Sequence, residues 1–421
     1  MLSVGMFDII MVSFAGESAV SGVSLVDTIN TLLIYLLTAL ATGGAIVAGQ
    51  YLGSKNLEKS NLAGKQLLSA SLGFSLLFMA LCIIFNYQLL SLFFGNVELD
   101  VMKNAQMYFY ITAVSFPFIS IYSSAVALFR VMGNTKTAMT NSMIMNLINI
   151  TINALLIYVF RMGALGAAIG TLTARIVGAI STIIMLRNRK LPIHIRSYSF
   201  WKVDLNMIKS ILKISIPASL ENSVFQIGRI VLASLVAVFG TSAITANGVT
   251  GSLINVATIP GQALGLAITT IVAQCVGAKA FEQAIFYSKH LLKLAWIYMV
   301  AFNVIILFML NPILSLYHLS AETFTLAFTI MIIHIIGWVT VWPMSFALPN
   351  TFRAAGDVKY PMIISIFSMV VFRIGSSYLL AFGLGFGVLS VWIAMLIDWT
   401  FRCVCFYWRW KSGKWKQYTL V

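Results

Sequence analysis

The chain has 421 residues, of which 60% are apolar and only 9% are charged. Soluble domains carry about 25% charged residues, and so few ionisable groups cannot solvate the surface of a chain this long. The composition therefore excludes a cytosolic enzyme, a secreted disulfide scaffold and a disordered chain. It predicts an all-α membrane protein, because helices satisfy their own backbone hydrogen bonds in lipid.

Eleven apolar runs are long enough for a helix to cross the hydrocarbon core, which takes about 20 residues. They are residues 24–49, 66–90, 106–128, 138–160, 163–186, 211–238, 243–273, 290–316, 324–350, 360–382 and 386–408. A further apolar run, residues 1–15, is shorter. We therefore predict twelve transmembrane helices, the first of them shortened.

Basic residues predict the orientation of these helices. Most of the 27 Lys and Arg residues fall in alternate loops and in the C-terminal tail. Because cytoplasmic loops are enriched in Lys and Arg, both termini are predicted to face the cytoplasm. This arrangement accounts for the net charge of +15 without a nucleic-acid partner.

The sequence also repeats itself. Residues 45–68 and 269–292 align at a constant offset of 224, so that Lys55 meets Lys279. A second match, at an offset of 223, pairs LFRVMGNTKTAM with TFRAAGDVKYPM. The repeat predicts two homologous six-helix lobes of the same orientation, related by an axis along the membrane normal.

These observations divide the chain into four parts. We predict an N-terminal lobe over 1–186, a basic cytoplasmic linker over 187–210, a C-terminal lobe over 211–408 and a cytoplasmic tail over 409–421. The repeat offset maps the start of the C-terminal lobe upstream of residue 1. We therefore expect roughly ten residues of the first helix to be missing, through a misassigned start codon or a truncated form.

Acidic residues inside predicted helices are the main functional signal. Each costs about 2.5–3.5 kcal/mol on insertion scales, so it is retained for a reason. They are Asp8, Asp27, Glu221 and Asp398. Asp8 lies in the middle of the first apolar run and is predicted to bind a cation or proton. Asp27 lies near the extracellular start of the next run, where solvation or a helix-start role is an equal alternative.

Polar side chains in the fifth and sixth helices add oxygen atoms. Asn146, Asn149 and Asn153 are spaced by three and four residues and therefore share a helix face. Amide oxygens beside a carboxylate suit a hard cation such as sodium, and interhelical hydrogen bonding is the alternative. Thr171 either adds another oxygen or bonds its own backbone.

The second half differs at the equivalent place. The offset of 223 puts Arg373 there, and an arginine cannot bind sodium. We predict that Arg373 pairs with Asp398 in a structural or gating salt bridge. Glu221 and Arg229 lie eight residues apart on one helix face and are predicted to form a network. With Asp27, these four residues are candidates for gating or for substrate contact.

Enzymatic motifs are absent from the sequence: it contains no HExxH, no GxSxG and no Walker P-loop. We therefore predict that the protein is not an enzyme, has no cofactor and does not drive transport by hydrolysing ATP.

Several segments together resemble the multidrug and toxic compound extrusion (MATE) family. FDIIMVSFAGESAVSGVSLVD is similar to the family's pattern of an Asp followed eight residues later by Gly. ATGGAIVAGQYLGSKNLE and GLAITTIVAQCVGAKAFE resemble its paired loops after the second and eighth helices. WIAMLIDWTFRCVCFYWRWKSGKWK resembles the bacterial branch of the damage-inducible protein F type.

The resemblance implies a V-shaped, two-lobed monomer in the bacterial-type cytoplasmic (inner) membrane. It implies a secondary antiporter that rocks between inward- and outward-facing states and exports organic cations against entry of H⁺ or Na⁺. The family's cation site carries over onto Asp8, Asn149, Asn153 and Thr171. The family often has Asp where this chain has Asn153, so the site holds one carboxylate fewer.

Two other functions are compatible with the sequence. A lipid-linked saccharide flippase of the wider multidrug/oligosaccharidyl-lipid/polysaccharide exporter superfamily would bind an anionic substrate through Arg229 and Arg373. A transport-inactive membrane protein with a regulatory or assembly role is the other, supported only by the shortened first helix.

Overall fold

The structure, a computed structural model, describes residues 11–12, 16–95, 98–195 and 203–418. Within these ranges the regular secondary structure is entirely helical, with no strand. The prediction of an all-α fold is confirmed. Most of the first apolar run, including Asp8, lies outside the described residues.

In the described ranges 16–95 and 98–195, seven α-helices precede the basic linker. They are α1 (Glu17–Gly53), α2 (Leu57–Ile84), α3 (Asn86–Phe94), α4 (Leu99–Val114), α5 (Phe116–Val131), α6 (Thr135–Ala154) and α7 (Gly163–Leu186). A π-helical segment, Leu155–Val159, continues α6 toward α7.

Nine α-helices lie in the described range 203–418. They are α8 (Leu205–Ala237), α9 (Thr241–Ala257), α10 (Ile259–Gly277), α11 (Phe281–Ser315), α12 (Ala321–Thr340), α13 (Pro349–Ala355), α14 (Lys359–Ser368), α15 (Ser376–Tyr378) and α16 (Leu389–Ser412). Three π-helical segments, Pro343–Ala347, Met369–Gly375 and Leu379–Gly383, interrupt this half, and a 3₁₀ turn, Lys414–Gln417, follows α16.

The described residues contain ten helical spans that are long and apolar enough to cross a membrane. The count rises to eleven if α4 and α5, which meet at a bend of 46°, form one span. The runs 66–90, 106–128, 243–273 and 324–350, predicted as single helices, are each interrupted. Pro117 and Pro260 lie at the starts of α5 and α10, where the missing N–H of proline costs no helical hydrogen bond.

The backbone of the repeated turns is the same in both halves. Lys55 and Lys279 both adopt the left-handed region, with φ of 60° and 57°. Gly133 and Gly356, aligned at the second offset, have φ of 77° and 97°. In all four turns the next residue donates its N–H to the carbonyl five positions before it, over 2.9–3.0 Å. The internal repeat seen in the sequence is therefore also a repeat of local geometry.

The chain forms two compact units. The first ends at Ser219, and the second begins at Leu220 and also takes in Gly53–Lys55. This division falls inside α8, whereas the sequence analysis placed lobe boundaries at 186 and 211. Those boundaries remain predictions.

Each unit has its own apolar core, and large apolar side chains also cover the surface. Tyr108, Phe109 and Phe116 are buried in the first unit, and Leu235 and Val391 are buried in the second. Many other large apolar side chains are exposed, among them Leu92 at 78% and Phe308 at 80%. Exposure on this scale suits a surface solvated by lipid chains.

Candidate functional site

Three predicted site residues come together in the first unit, and we call them the amide cluster: Asn149, Asn153 and Thr171. Asn149 on α6 donates from Nδ2 to the Thr171 Oγ1 on α7, over 3.1 Å. All three side chains are buried, at 1%, 0% and 3% exposure respectively. Thr171 therefore faces Asn149, as expected if its hydroxyl adds an oxygen to the site.

Small residues allow α6 and α7 to approach this closely. The side-chain oxygen of Asn153 occupies the position where a Cβ at Gly170 would lie. A Cβ at Gly166, one turn earlier, would lie 3.1 Å from the Leu156 Cβ. Glycines at such spacing are the usual means of bringing membrane helices into contact.

The amide cluster leaves one strong acceptor without a donor. The Oδ1 atom of Asn149 is buried and has no hydrogen-bond partner among the described residues. A buried amide oxygen without a donor costs about 1–3 kcal/mol, which a bound cation or a water molecule would offset. The cluster thus has the ligand chemistry that hard cations prefer.

Asp8, the predicted source of negative charge at this site, lies outside the described residues. Its proximity to Asn149, Asn153 and Thr171 remains a prediction.

Asp27 lies in a second polar group of the same unit. It is half-buried within α1, and its Oδ1 accepts a hydrogen bond from the Tyr108 hydroxyl at 3.3 Å. Nearby, the Arg175 guanidinium donates to the Ser115 hydroxyl at 2.6 Å. Among the described residues no cationic side chain lies within 4.0 Å of the Asp27 carboxylate, so it forms no salt bridge there.

Glu221 has a different partner from the one predicted. Both of its carboxylate oxygens accept hydrogen bonds from the Arg353 guanidinium, at 2.7 and 2.8 Å. Asn350 accepts a further bond from Arg353 at 3.1 Å. Arg229, the predicted partner, is exposed and forms no salt bridge among the described residues. The predicted Glu221–Arg229 network is wrong, because sharing a helix face did not determine which cation reaches the carboxylate.

Asp398 is held by two arginines. Its Oδ1 accepts from Arg402 Nε at 2.8 Å and from the Ser368 hydroxyl. Arg373 Nη1 lies 4.0 Å from the Asp398 Oδ2. The predicted Arg373–Asp398 pair is therefore present, but the closer partner is Arg402, which the sequence analysis did not select.

The second unit holds a further buried group that the sequence did not indicate. His334 is 2% exposed, and the rings of Trp338, Trp392 and Trp399 surround it at centroid distances of 5.1, 4.7 and 6.1 Å. Only the four-residue spacing of His334 and Trp338 was available from the sequence. The other two rings come from α16.

The two units offer different chemistry to a cation. The amide cluster presents neutral oxygens, whereas each buried carboxylate in the described part of the second unit contacts an arginine. The fold and the polar groups define a multi-pass helical membrane protein with intramembrane polar sites, the class to which transporters belong.

Comparison with known families gives the affiliation. The family model described as MatE matches residues 1–155 and 217–379. The chain belongs to this family, and the resemblance found in the sequence is confirmed.

Curated relatives match most of the chain at low identity. The uncharacterized transporter YisQ of Bacillus subtilis is 24% identical over 98% of this chain and 91% of its own length. The "probable multidrug resistance protein NorM" of Thermotoga maritima is 23% identical over 98% of this chain and 89% of its own length. The multidrug export protein MepA of Staphylococcus aureus is 22% identical over 59% of this chain and 55% of its own length.

Solved structures share the fold over nearly the whole chain. A MATE protein in its bent conformation has a TM-score of 0.89 and 19% identity, covering 98% of this chain and 92% of that one. A superfamily transporter from Pyrococcus furiosus, described as having a binding pocket of reverse polarity, has a TM-score of 0.90 and 19% identity. It covers 99% of this chain and 92% of its own.

Proposed function

We propose that this chain is a secondary active antiporter that exports organic cations or drugs in exchange for inward H⁺ or Na⁺. The observation that carries the proposal is the buried amide cluster on two membrane-spanning helices, in which the Asn149 Oδ1 accepts no hydrogen bond from the described residues. A cation entering this cluster would gain oxygen ligands that the protein otherwise leaves unsatisfied.

The proposed site consists of Asp8, Asn149, Asn153 and Thr171. Asp8 supplies the negative charge, and the amide and hydroxyl oxygens complete the shell. Binding there drives transport only if the cation binds one conformation of the protein more tightly than the other. The cation's differential affinity then shifts the population between the inward- and outward-facing states.

The coupling ion determines which atoms act. Sodium would use the neutral oxygens of Asn149 and Thr171 together with the Asp8 carboxylate, whereas a proton would bind to the carboxylate alone. Removing an amide oxygen therefore separates the two cases. It weakens a sodium site directly and affects a proton site only through the surroundings of Asp8.

The proposed substrates rest on the relatives. Proteins described as multidrug resistance or multidrug export proteins match this chain over 59–98% of its length. The lipid-linked saccharide flippase is not favoured, since these curated relatives are described as drug transporters. In addition Arg373, one of its two supporting residues, lies beside Asp398.

We further propose that the chain acts as a monomer in the cytoplasmic membrane, with both termini in the cytoplasm. Supporting this orientation, Lys55, Lys136 and Lys279 all lie in turns or first turns that join successive helices on the side predicted to be cytoplasmic.

Efflux from proteoliposomes tests the proposal. Ethidium efflux is measured under an imposed proton gradient and, separately, a sodium gradient, with wild type, Asp8→Asn and Asp100→Asn. Asp100 is the control carboxylate, because it is 78% exposed and pairs with Lys103 on the same helix turn. We expect gradient-driven efflux in wild type and Asp100→Asn, and its loss in Asp8→Asn.

Efflux that is equal in all three proteins and insensitive to both gradients would overturn the antiport mechanism. No efflux from wild type would support the transport-inactive alternative, provided that the protein is folded in the vesicles by circular dichroism.

A further inference from the structure

A basic, aromatic pocket lies at the end of α16, apart from the amide cluster. It has a volume of about 370 Å³. Three lysines line it, Lys289 from α11 and Lys411 and Lys416 from the end of the chain, together with Tyr407, Trp410 and Trp415. No acidic side chain is among its lining residues.

The chain folds back on itself to build this pocket. Gly413, with φ of 66°, ends α16 and reverses the backbone into the 3₁₀ turn. The Trp415 ring then stacks on Trp410, with centroids 5.2 Å apart and planes 6° from parallel, and meets the edge of Phe281. Trp415 is fully buried as a result.

The pocket has positive charge that no carboxylate of the described residues neutralises. None of the three lysines has a carboxylate within 4.0 Å among the described residues. The nearby arginine, Arg409, is by contrast paired with Asp357 at 2.7 Å. Three unneutralised lysines around one cavity form a site for an anion.

The surroundings identify the source of that anion. α16 is a membrane-spanning helix, and near its end Tyr407 and Trp408 are 48% and 72% exposed. Exposed Tyr and Trp rings next to basic residues are typical of the membrane–water interface, at the level of the lipid headgroups. We propose that this pocket binds the phosphate of an anionic phospholipid headgroup.

Lipid binding to the full chain in detergent, measured by native mass spectrometry, tests the proposal. The probes are phosphatidylglycerol and, for comparison, zwitterionic phosphatidylcholine. Each lysine near an anionic headgroup contributes about fivefold in affinity. The triple variant Lys289→Gln, Lys411→Gln, Lys416→Gln should therefore weaken phosphatidylglycerol binding on the order of 100-fold and leave phosphatidylcholine binding unchanged.

A matched triple variant controls for net charge. Lys136→Gln, Lys190→Gln, Lys209→Gln removes the same charge from exposed positions elsewhere. Its phosphatidylglycerol affinity should stay at the wild-type value. Equal weakening by both triple variants, or none by the pocket variant, would overturn the proposal.

Two further arms keep the test decisive. Lys411→Gln alone removes one of the three charges and should weaken phosphatidylglycerol binding about fivefold, even if the triple variant fails to fold. Glycerol 3-phosphate at millimolar concentration should not displace the lipid. Full displacement would assign the pocket to a soluble phosphate and contradict the lipid assignment.

Discussion

The two compact units treat polar groups in the membrane in opposite ways. In the first, Asn149 and Thr171 pair as neutral side chains and Asp27 accepts a hydrogen bond from a phenol. In the second, Glu221 and Asp398 are bound by Arg353 and Arg402 at 2.7 and 2.8 Å. One internal repeat has thus produced two kinds of polar interior.

This difference indicates that cation binding and structural support fall to different units. A carboxylate that already contacts a guanidinium has little to offer a second cation, because the arginine would have to be displaced first. Neutral oxygens, and a carboxylate without a salt bridge, can bind a cation without displacing an arginine. We therefore expect the first unit to couple to the cation and the ion pairs of the second unit to maintain the packing of its helices.

The largest expected effect comes from breaking an ion pair in the second unit. Arg402→Met leaves the fully buried Asp398 with Arg373 as its remaining cation, 4.0 Å away. Removing one partner of a buried pair costs about 3–5 kcal/mol. We expect a loss of this size in the free energy of unfolding, measured by SDS titration in mixed micelles.

Lys293→Met is the control for Arg402→Met, since Lys293 is exposed and makes no salt bridge among the described residues. It should change the free energy of unfolding by less than about 0.5 kcal/mol. Equal losses in the two variants would show that the ion pair does not stabilise the second unit.

A smaller effect is expected where α6 and α7 meet at the amide cluster. Gly170→Ala places a Cβ at the position of the Asn153 side-chain oxygen. Overpacking of this kind costs about 1–3 kcal/mol, and here it also displaces a proposed ligand. We expect both the free energy of unfolding and gradient-driven efflux to fall. Gly73→Ala, at a helical glycine with open space around it, should lower neither, because alanine favours the helix over glycine.

The smallest effect on stability is expected from a change at Thr171, which tests the cation site of the first unit. Thr171→Val preserves shape and removes the hydroxyl that accepts from Asn149. Hydrogen bonds between membrane helices average about 0.6 kcal/mol, so the free energy of unfolding should hardly change. Under sodium coupling, the sodium concentration that half-saturates efflux should rise. An unchanged value would exclude Thr171 as a sodium ligand.

The amide cluster could be predicted from the sequence because its residues lie close together along the chain. Asn149 and Asn153 are one turn apart on one helix face. Thr171 lies on the next predicted helix along the chain, and consecutive helices are usually in contact. The repeated turns at Lys55 and Lys279 were equally local, because a left-handed residue and the bond that follows it involve only a few neighbours.

Contacts between distant helices could not be predicted in this way. Glu221 and Arg353 are 132 residues apart, and no periodicity in a single sequence relates them. Arg402 is a different case, because it follows Asp398 by four residues and the spacing for a same-face ion pair was present. Arg373 alone was predicted as the partner of Asp398, although Arg402 is nearer in the sequence.

The central claim is that the cation is coupled through the first unit, and paired variants in proteoliposomes test it most directly. Asn149→Leu removes the undonated oxygen of the amide cluster, whereas Glu221→Gln with Arg353→Gln removes an ion pair of the second unit while keeping both partners polar. Ethidium efflux is measured with and without an imposed sodium gradient, and again with a proton gradient. We predict that Asn149→Leu impairs the gradient-dependent part of efflux and that the double variant keeps it. Gradient-dependent efflux that survives in Asn149→Leu and disappears in the double variant would contradict this account.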